Sequence, residues 1–396
     1  MKKFGLERYT LDCFWDKVVQ EYGSRPSLAL VGEKPITYRE LDQRVKSVQS
    51  LLAGLGVQKQ DKIIILGSSS PNWATAYLAI MTSGVVAVPI LEEFPEQDID
   101  HIIKHSDAVA IFISEQLAQN LNLPVLARLR HVINLNDFSL LSKREKNKPS
   151  LWTQLQQLPD LLRTGERSKS PSTHPIQEED LAEILYTSGT TGHSKGVMLT
   201  HKNLVSNLFE GPDLLKVIGP HSSILSILPM AHAFGSTSAF LSIIYCGASI
   251  YYLNKPPSPK VLLAAMQQVR PTILGAVPLV FEKIYHKQVV PIIAGSRAMR
   301  LLAKTAITKK VLYRIIGRKI KAVLGGRLDC VIIGGASFSP EVEPFMRQGR
   351  IPYCCGYGLS ECSPLVTIFS MPSKKPGSPG HAITDNTIRI ADADPK

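Results

Sequence analysis

The chain has 396 residues with 45 Lys and Arg against 33 Asp and Glu, a formal net charge of +12. With 44% apolar and 20% charged residues it has the composition of a soluble globular protein, long enough for two or three domains or one large α/β unit. A core of that size needs no disulfide staples, and no stretch approaches the 18 uninterrupted apolar residues of a membrane-spanning helix.

The opening segment MKKFGLERYTLDCFWDKVVQEYG starts basic, but Glu7, Asp12 and Asp16 interrupt any apolar run, so it does not fit a signal peptide. The cysteines, Cys13, Cys246, Cys330, Cys354, Cys355 and Cys362, form no CxxC pair and have no histidine at zinc-finger spacing. Free thiols in a reducing cytosol are expected.

ITYREL (36–41) leads into a helical pattern with Val45, Val48, Leu51, Leu52 and Leu55 on one face. The short apolar strand 63–66 follows and ends in GSSSPNW, where Ser68 to Ser70 and Pro71 signal a helix start. That helix stops near Gly84, and strand VVAVPI, a helix near 98–105 and strand AVAIFI (108–113) succeed it. Buried apolar strands alternating with helices predict an α/β fold with layered, mostly parallel sheets.

Residues 163–180 turn polar and carry two prolines, which predicts a connector. It separates a first α/β subdomain (1–162) from a second (181–371). The second has strand candidates LAEILYT, SSILSIL, ASIYYL, PTILGAV and DCVIIGGA. HKNLVSNLFEGPDLL and PSPKVLLAAMQQV look helical, and a tail covers 372–396, Gly/Pro-rich over 372–380.

The charge is local. Between Lys283 and Arg327 stand twelve Lys and Arg and no Asp or Glu, which equals the whole excess. Within 298–324, Leu312, Ile315, Ile316, Ile320 and Val323 make one helical stripe and Lys310, Arg314, Arg318 and Lys321 another. Such a pattern serves a packed helix with a solvated basic face, or contact with anionic lipid or an anionic thiol carrier. No aromatic platform accompanies it, so no nucleic-acid partner is expected.

The most informative stretch is YTSGTTGHSKG (186–196). A strand leads into glycines that let backbone N–H groups approach an anion, with hydroxyl donors and a mobile lysine beside them. That is a cradle for polyphosphate. The Walker spacing is not met, because Lys195 stands three residues after Gly192 and is followed by Gly196.

YTSGTTGHSKGVMLTHKNL resembles the signature of the adenylate-forming, acyl-activating superfamily. LPMAHAFG (228–235), IIGGASFSPEV (332–342) and GYGLSECSP (356–364) follow in that family's order. ITYRELDQRV and SSSPNWATAYLAIMTSGVVAVPI also fit, so the resemblance covers nearly the whole chain. PLVFEKIYHK, the basic segment and LGGRLDCVIIGGASFSPE look most like long-chain fatty acyl-CoA synthetases, with acyl-acyl-carrier-protein synthetases sharing the insertion.

The resemblance implies the large N-terminal domain of that fold, ATP and Mg2+ dependence, and a fatty acid activated as acyl-AMP. Transfer to coenzyme A or an acyl-carrier protein would follow. It implies that Thr187, Ser188, Gly189, Thr190, Thr191, Gly192 and Lys195 hold the β- and γ-phosphates. Gly335 and Ala336 would border the adenine, Tyr357 and Gly358 would meet its ring, and Ser360 would contact the α-phosphate. Thr187 and Glu361 would hold the metal, His232 would face the reacting carboxylate, and Phe234 would border the acyl pocket. Catalysis would thus fall to His232, Lys195 and Glu361.

Ser194, Ser360 and His381 stand where the family more often has proline, threonine and proline. The family's pattern continues into a TGD stretch, a hinge and a small lid domain with a catalytic lysine. Asp385, Asp392 and Asp394 are not in that stretch's context, and the lid is expected to be absent from this chain. A split enzyme, a fragment or a non-catalytic nucleotide- or acyl-binding remnant are the readings this leaves. The location expected is cytoplasmic, with peripheral attachment to the inner face of a membrane if 283–327 meets lipid.

Overall fold

The computed structural model describes residues 3–121, 126–141, 175–187, 194–369, 375–384 and 387–389. Most of the 163–180 connector and much of the 372–396 tail, with Asp385, Asp392 and Asp394, lie outside them.

The first eight strands are β1 (Pro26–Leu30), β2 (Ile36–Thr37), β3 (Lys62–Leu66), β4 (Val86–Ile90), β5 (Ala108–Ile113), β6 (His131–Asn134), β7 (Leu181–Thr187) and β8 (Lys195–Thr200). The rest are β9 (Ser223–Ser226), β10 (Ser249–Tyr252), β11 (Ile273–Ala276), β12 (Cys330–Ile333), β13 (Tyr353–Gly358), β14 (Leu365–Ile368) and β15 (His381–Ala382). They form a six-stranded sheet, β6-β5-β3-β4-β7-β8, and a nine-stranded sheet, β15-β14-β13-β12-β11-β9-β10-β1-β2. Interior pairs are parallel; among the described strands the antiparallel pairs stand at the margins, at β1/β2, β7/β8 and β13/β14/β15. The expected α/β architecture is therefore present. Neither sheet keeps to one side of 163–180, because β1 and β2 join the later strands while β7 and β8 join the earlier ones.

The helix Pro71–Thr82 shows why the layers hold. Ser70 Oγ accepts from Trp73 N at 3.1 Å, and Pro71 fills the first turn, where no N–H is needed. Every residue from Trp73 to Met81 is buried. An all-round apolar helix belongs inside, and this one packs against β3 and β4 of one sheet and β1 of the other. The neighbouring helix Tyr38–Gly54 opens with a reciprocal cap between Thr37 and Glu40 and buries Leu41, Val45, Val48 and Leu52.

The helix Ala306–Val323 divides its apolar residues between two faces. Leu312, Ile316 and Ile320 are buried, while Ile315 is 49% exposed and Val323 lies at the surface. The reason is angular: each residue advances about 100°, so Ile315 faces the side of Ile307 and Val311 rather than that of Ile316. Among the described residues no helix is long and apolar enough to cross a membrane. All six cysteines are free thiols.

Candidate functional site

Strand β7 carries the chain to Thr187, and β8 returns antiparallel so that Thr187 lies opposite Lys195. The loop between them, with Ser188, Gly189, Thr190, Thr191 and Gly192, lies outside the described residues. Thr187 is half-buried and Lys195 is exposed. Just before them Tyr186 is buried with its hydroxyl 2.8 Å from His105 Nδ1. Burial and nearby Asp107 push that phenol up to about 12, so it stays neutral.

Across from the hairpin, three turns enclose a cavity of about 260 Å³. One carries His232 and Phe234, the second Gly334 and Gly335, the third Tyr357, Gly358 and Ser360. Leu215, Ile218, Ser238 and Ser242 complete much of its wall, which is largely apolar with a few hydroxyls. Of the residues assigned from the sequence, His232, Phe234, Gly335, Tyr357, Gly358 and Ser360 thus share one cavity, whereas Ala336, Glu361, Thr187 and Lys195 are not part of its lining.

The Tyr357 turn has a defined support. Strand β13 ends at Gly358, the short turn Ser360–Cys362 follows, and Leu359 N donates to Pro364 O at 2.9 Å. A Cβ at Gly358 would sit 2.0 Å from the Pro364 carbonyl oxygen, so no side chain fits there. Asn207, buried on the helix His201–Leu208, donates through Nδ2 to Cys362 O (3.1 Å) and Leu365 O (2.9 Å), and accepts from Leu365 N (3.1 Å). One amide thereby uses both ends to hold the turn. Tyr357 is 49% exposed and lines the cavity. Glu361 projects into solvent from this turn, and the turn packs against β8, the strand that begins at Lys195.

The His232 turn is tied down differently. His232 N donates to Pro229 O at 3.1 Å, and Met230 N donates to Ser69 Oγ at 2.9 Å. Gly235, second in the π-helical stretch Phe234–Leu241, is pressed onto Pro229: a Cβ there would lie 2.0 Å from the Pro229 carbonyl oxygen. π-helical turns recur at functional sites. Solvent reaches the His232 ring at the cavity rim, but the enclosing protein lowers its pKa by desolvation, with Glu93 opposing. A neutral imidazole suits a site that receives anions only if it donates through one ring N–H.

Asn207 and Ser69 escaped the sequence reading. Their neighbourhoods, HKNLVSNLFEG and SSSPNW, signal a helix and a helix start, and nothing local marks which polar residue turns inward.

Residues 15–396 match the family described as AMP-binding enzyme. The chain belongs to that family. Long chain acyl-CoA synthetase 1 of Arabidopsis thaliana is 29% identical over 351 residues, 82% of this chain and 52% of the relative. A chloroplastic long-chain-fatty-acid–[acyl-carrier-protein] ligase of the same plant is 26% identical over 96% of this chain and 59% of its own length. The chain thus spans about half to three-fifths of these relatives. Among solved structures, ATP-bound MatB from Rhodopseudomonas palustris superposes with a TM-score of 0.70 at 20% identity, covering 94% of this chain and 65% of that one, a likeness of fold.

Proposed function

We propose that this chain binds ATP and a fatty acid and activates the carboxylate as an acyl-adenylate on the way to a thioester with coenzyme A. The observation that carries the reading is the convergence of the His232, Gly335 and Tyr357 turns on one cavity, with the Ser360–Cys362 turn packed against the strand of Lys195. The family membership and the names of the relatives support it.

The chemistry fits this arrangement. A fatty carboxylate is already ionised, so its oxygen can attack the α-phosphorus directly; a P–O bond forms, and the bond to pyrophosphate breaks. No base is needed, and the obstacle is bringing anions together. Lys195 and the hydroxyl and N–H groups of 187–192 are suited to the departing pyrophosphate, and Ser360 to the α-phosphate. Tyr357 offers a face for adenine, while Phe234, Leu215 and Ile218 offer apolar wall to the acyl chain. His232 can donate to a carboxylate oxygen and orient it.

Glu361 fits a magnesium ion that takes most of its ligands from phosphate and water, with Thr187 as a second oxygen. Among the described residues no cluster of three or more His, Cys, Asp or Glu could by itself cage a metal. When bound, the ion would offset charge on the phosphate oxygens.

Equilibrium ATP titration with and without Mg2+ tests the reading. Lys195→Ala is expected to weaken ATP about tenfold or more, as removal of one charge-assisted contact does. Glu361→Ala should abolish the Mg2+ dependence. Unchanged affinity and unchanged Mg2+ dependence in both variants would sink the assignment. Pyrophosphate exchange driven by fatty acid then separates an adenylating chain from a binding remnant.

The acyl-carrier-protein ligase among the relatives supports a second acceptor, and supplying each thiol to the adenylate-loaded chain separates the two. A further surface belongs with this reading. Ile307 (79% exposed), Val311 and Ile315 line up at four-residue spacing on the outside of their helix, among Lys310, Arg314 and Arg318. An outward apolar ridge edged by cations suits the interface of an anionic membrane, a source of fatty acid.

A further inference from the structure

The π-helical stretch Phe234–Leu241 has a second face. Phe234 and Ser238 look into the cavity, while Ser236, Thr237 and Phe240 are buried on the opposite side. Beneath them, on β7, lies Glu183, with no solvent exposure. Tyr77, from the buried helix Pro71–Thr82, donates its hydroxyl to Glu183 Oε1 at 2.9 Å, and its ring packs on Trp73 (5.0 Å) and Phe240 (6.2 Å). Glu183 Oε2 meets no donor in hydrogen-bond geometry. The Ser236 hydroxyl, which faces both Tyr77 and Glu183, points instead to the His232 carbonyl at 3.3 Å.

We propose that Glu183 is a positioning residue: through Ser236 it fixes the turn that carries His232. A buried carboxylate with one bare oxygen is costly, and the protonated acid is not. As the acid, Glu183 can give its Oε2 proton to Ser236 Oγ while Ser236 gives its own to the His232 carbonyl and Tyr77 satisfies Oε1. Every group in that chain then has a partner. Burial pushes the Glu183 carboxyl up to about 8, opposed by the Tyr77 and Ser236 hydroxyls. These two hydroxyls are the side-chain hydrogen-bonding groups that act on it, buried Thr237 lies on the same helical face, and β4 and β8 place Ala87 and Leu199 opposite it in register.

Loss of the proton reverses the direction. The Ser236 hydroxyl turns to the new carboxylate and releases the His232 carbonyl, which keeps only the Ser236 N–H at 2.8 Å. The strand that enters the phosphate loop and the turn that bears His232 are thereby linked through one proton. This inference rests on the reading of His232 as the group facing the acyl carboxylate, and its test is independent of activity.

The experiment follows the His232 ring signal in protein labelled with 13C-histidine, assigned with His232→Gln, from about pH 6 to about pH 10. The wild type should show an inflection near pH 8, the Glu183 value, beyond the histidine's own titration. Glu183→Gln keeps an acceptor for Tyr77 and a donor for Ser236 and should hold the low-pH signal with no such inflection. Ser236→Ala leaves Glu183 in place but cuts the link, so the inflection should vanish there too; it carries the test alone if the Gln variant does not fold. An inflection that survives in either variant, or none in the wild type, overturns the proposal. If the signals behave as expected while fatty-acid-dependent pyrophosphate exchange is absent throughout, the link stands and the assigned reaction falls.

Discussion

The turn Tyr357–Pro364 is held from the side by one amide, Asn207, whose bonds all go to backbone. The turn Pro229–Gly235 on the facing wall is held partly from beneath, where Ser236, Tyr77 and Glu183 are all fully buried. The first support cannot titrate and fails only if the side chain is removed. The second depends on a proton. One cavity is thus bounded by a wall indifferent to pH and a wall that answers to it.

Asn207→Ala should give the largest effect. Three hydrogen bonds at about 1 kcal/mol each put the loss near 3 kcal/mol, read from urea unfolding midpoints and slopes. A loss well under about 1 kcal/mol would mean that water or a neighbour replaces the amide. Glu183→Gln probes the other wall, and its effect should change with pH, whereas that of Asn207→Ala should not. The folded carboxyl, at about 8, holds its proton more tightly than the free group at 4.5. Its stabilising contribution is therefore complete below about 4.5 and drains away as pH rises toward about 8. Wild-type stability should fall across that window, no more steeply than about 1.4 kcal/mol per pH unit, and the Gln variant should lack this component. Parallel curves for the two proteins would break the contrast between the walls.

The smallest effect on stability is expected where neither wall is touched. Ile307→Ser together with Val311→Ser changes only exposed positions, and unfolding should shift by less than about 0.5 kcal/mol. Sedimentation with anionic vesicles should nonetheless fall severalfold; equal sedimentation would remove the ridge from the functional reading.

Much of the scaffold could be read in advance, for a physical reason. Strands β3, β4, β5 and β7 are buried nearly throughout, so their sequences are apolar runs that stand out from the chain. The marginal strands were harder. In β8, KGVMLT mixes glycine and lysine with apolar residues, and in β13, YCCGYG has glycine at two of its six positions, because both lead directly to or from the site turns. The motif residues were recognisable as groups, and six of them do meet in one cavity. Their supports were not recognisable. Asn207, Glu183 and Tyr77 look like ordinary polar or aromatic residues of a helix or strand, and only the packing of distant segments turns them inward.

The contacts at Gly235 and Gly358 set backbone against backbone, each with a carbonyl oxygen where a side chain would begin. Those two turns are closed to diversification. Changes in what the cavity admits can enter instead through lining positions that carry side chains, such as Leu215, Ile218, Ser238 and Ser242. A mutant library built on those four codons would explore substrate range while leaving the frame of the cavity intact.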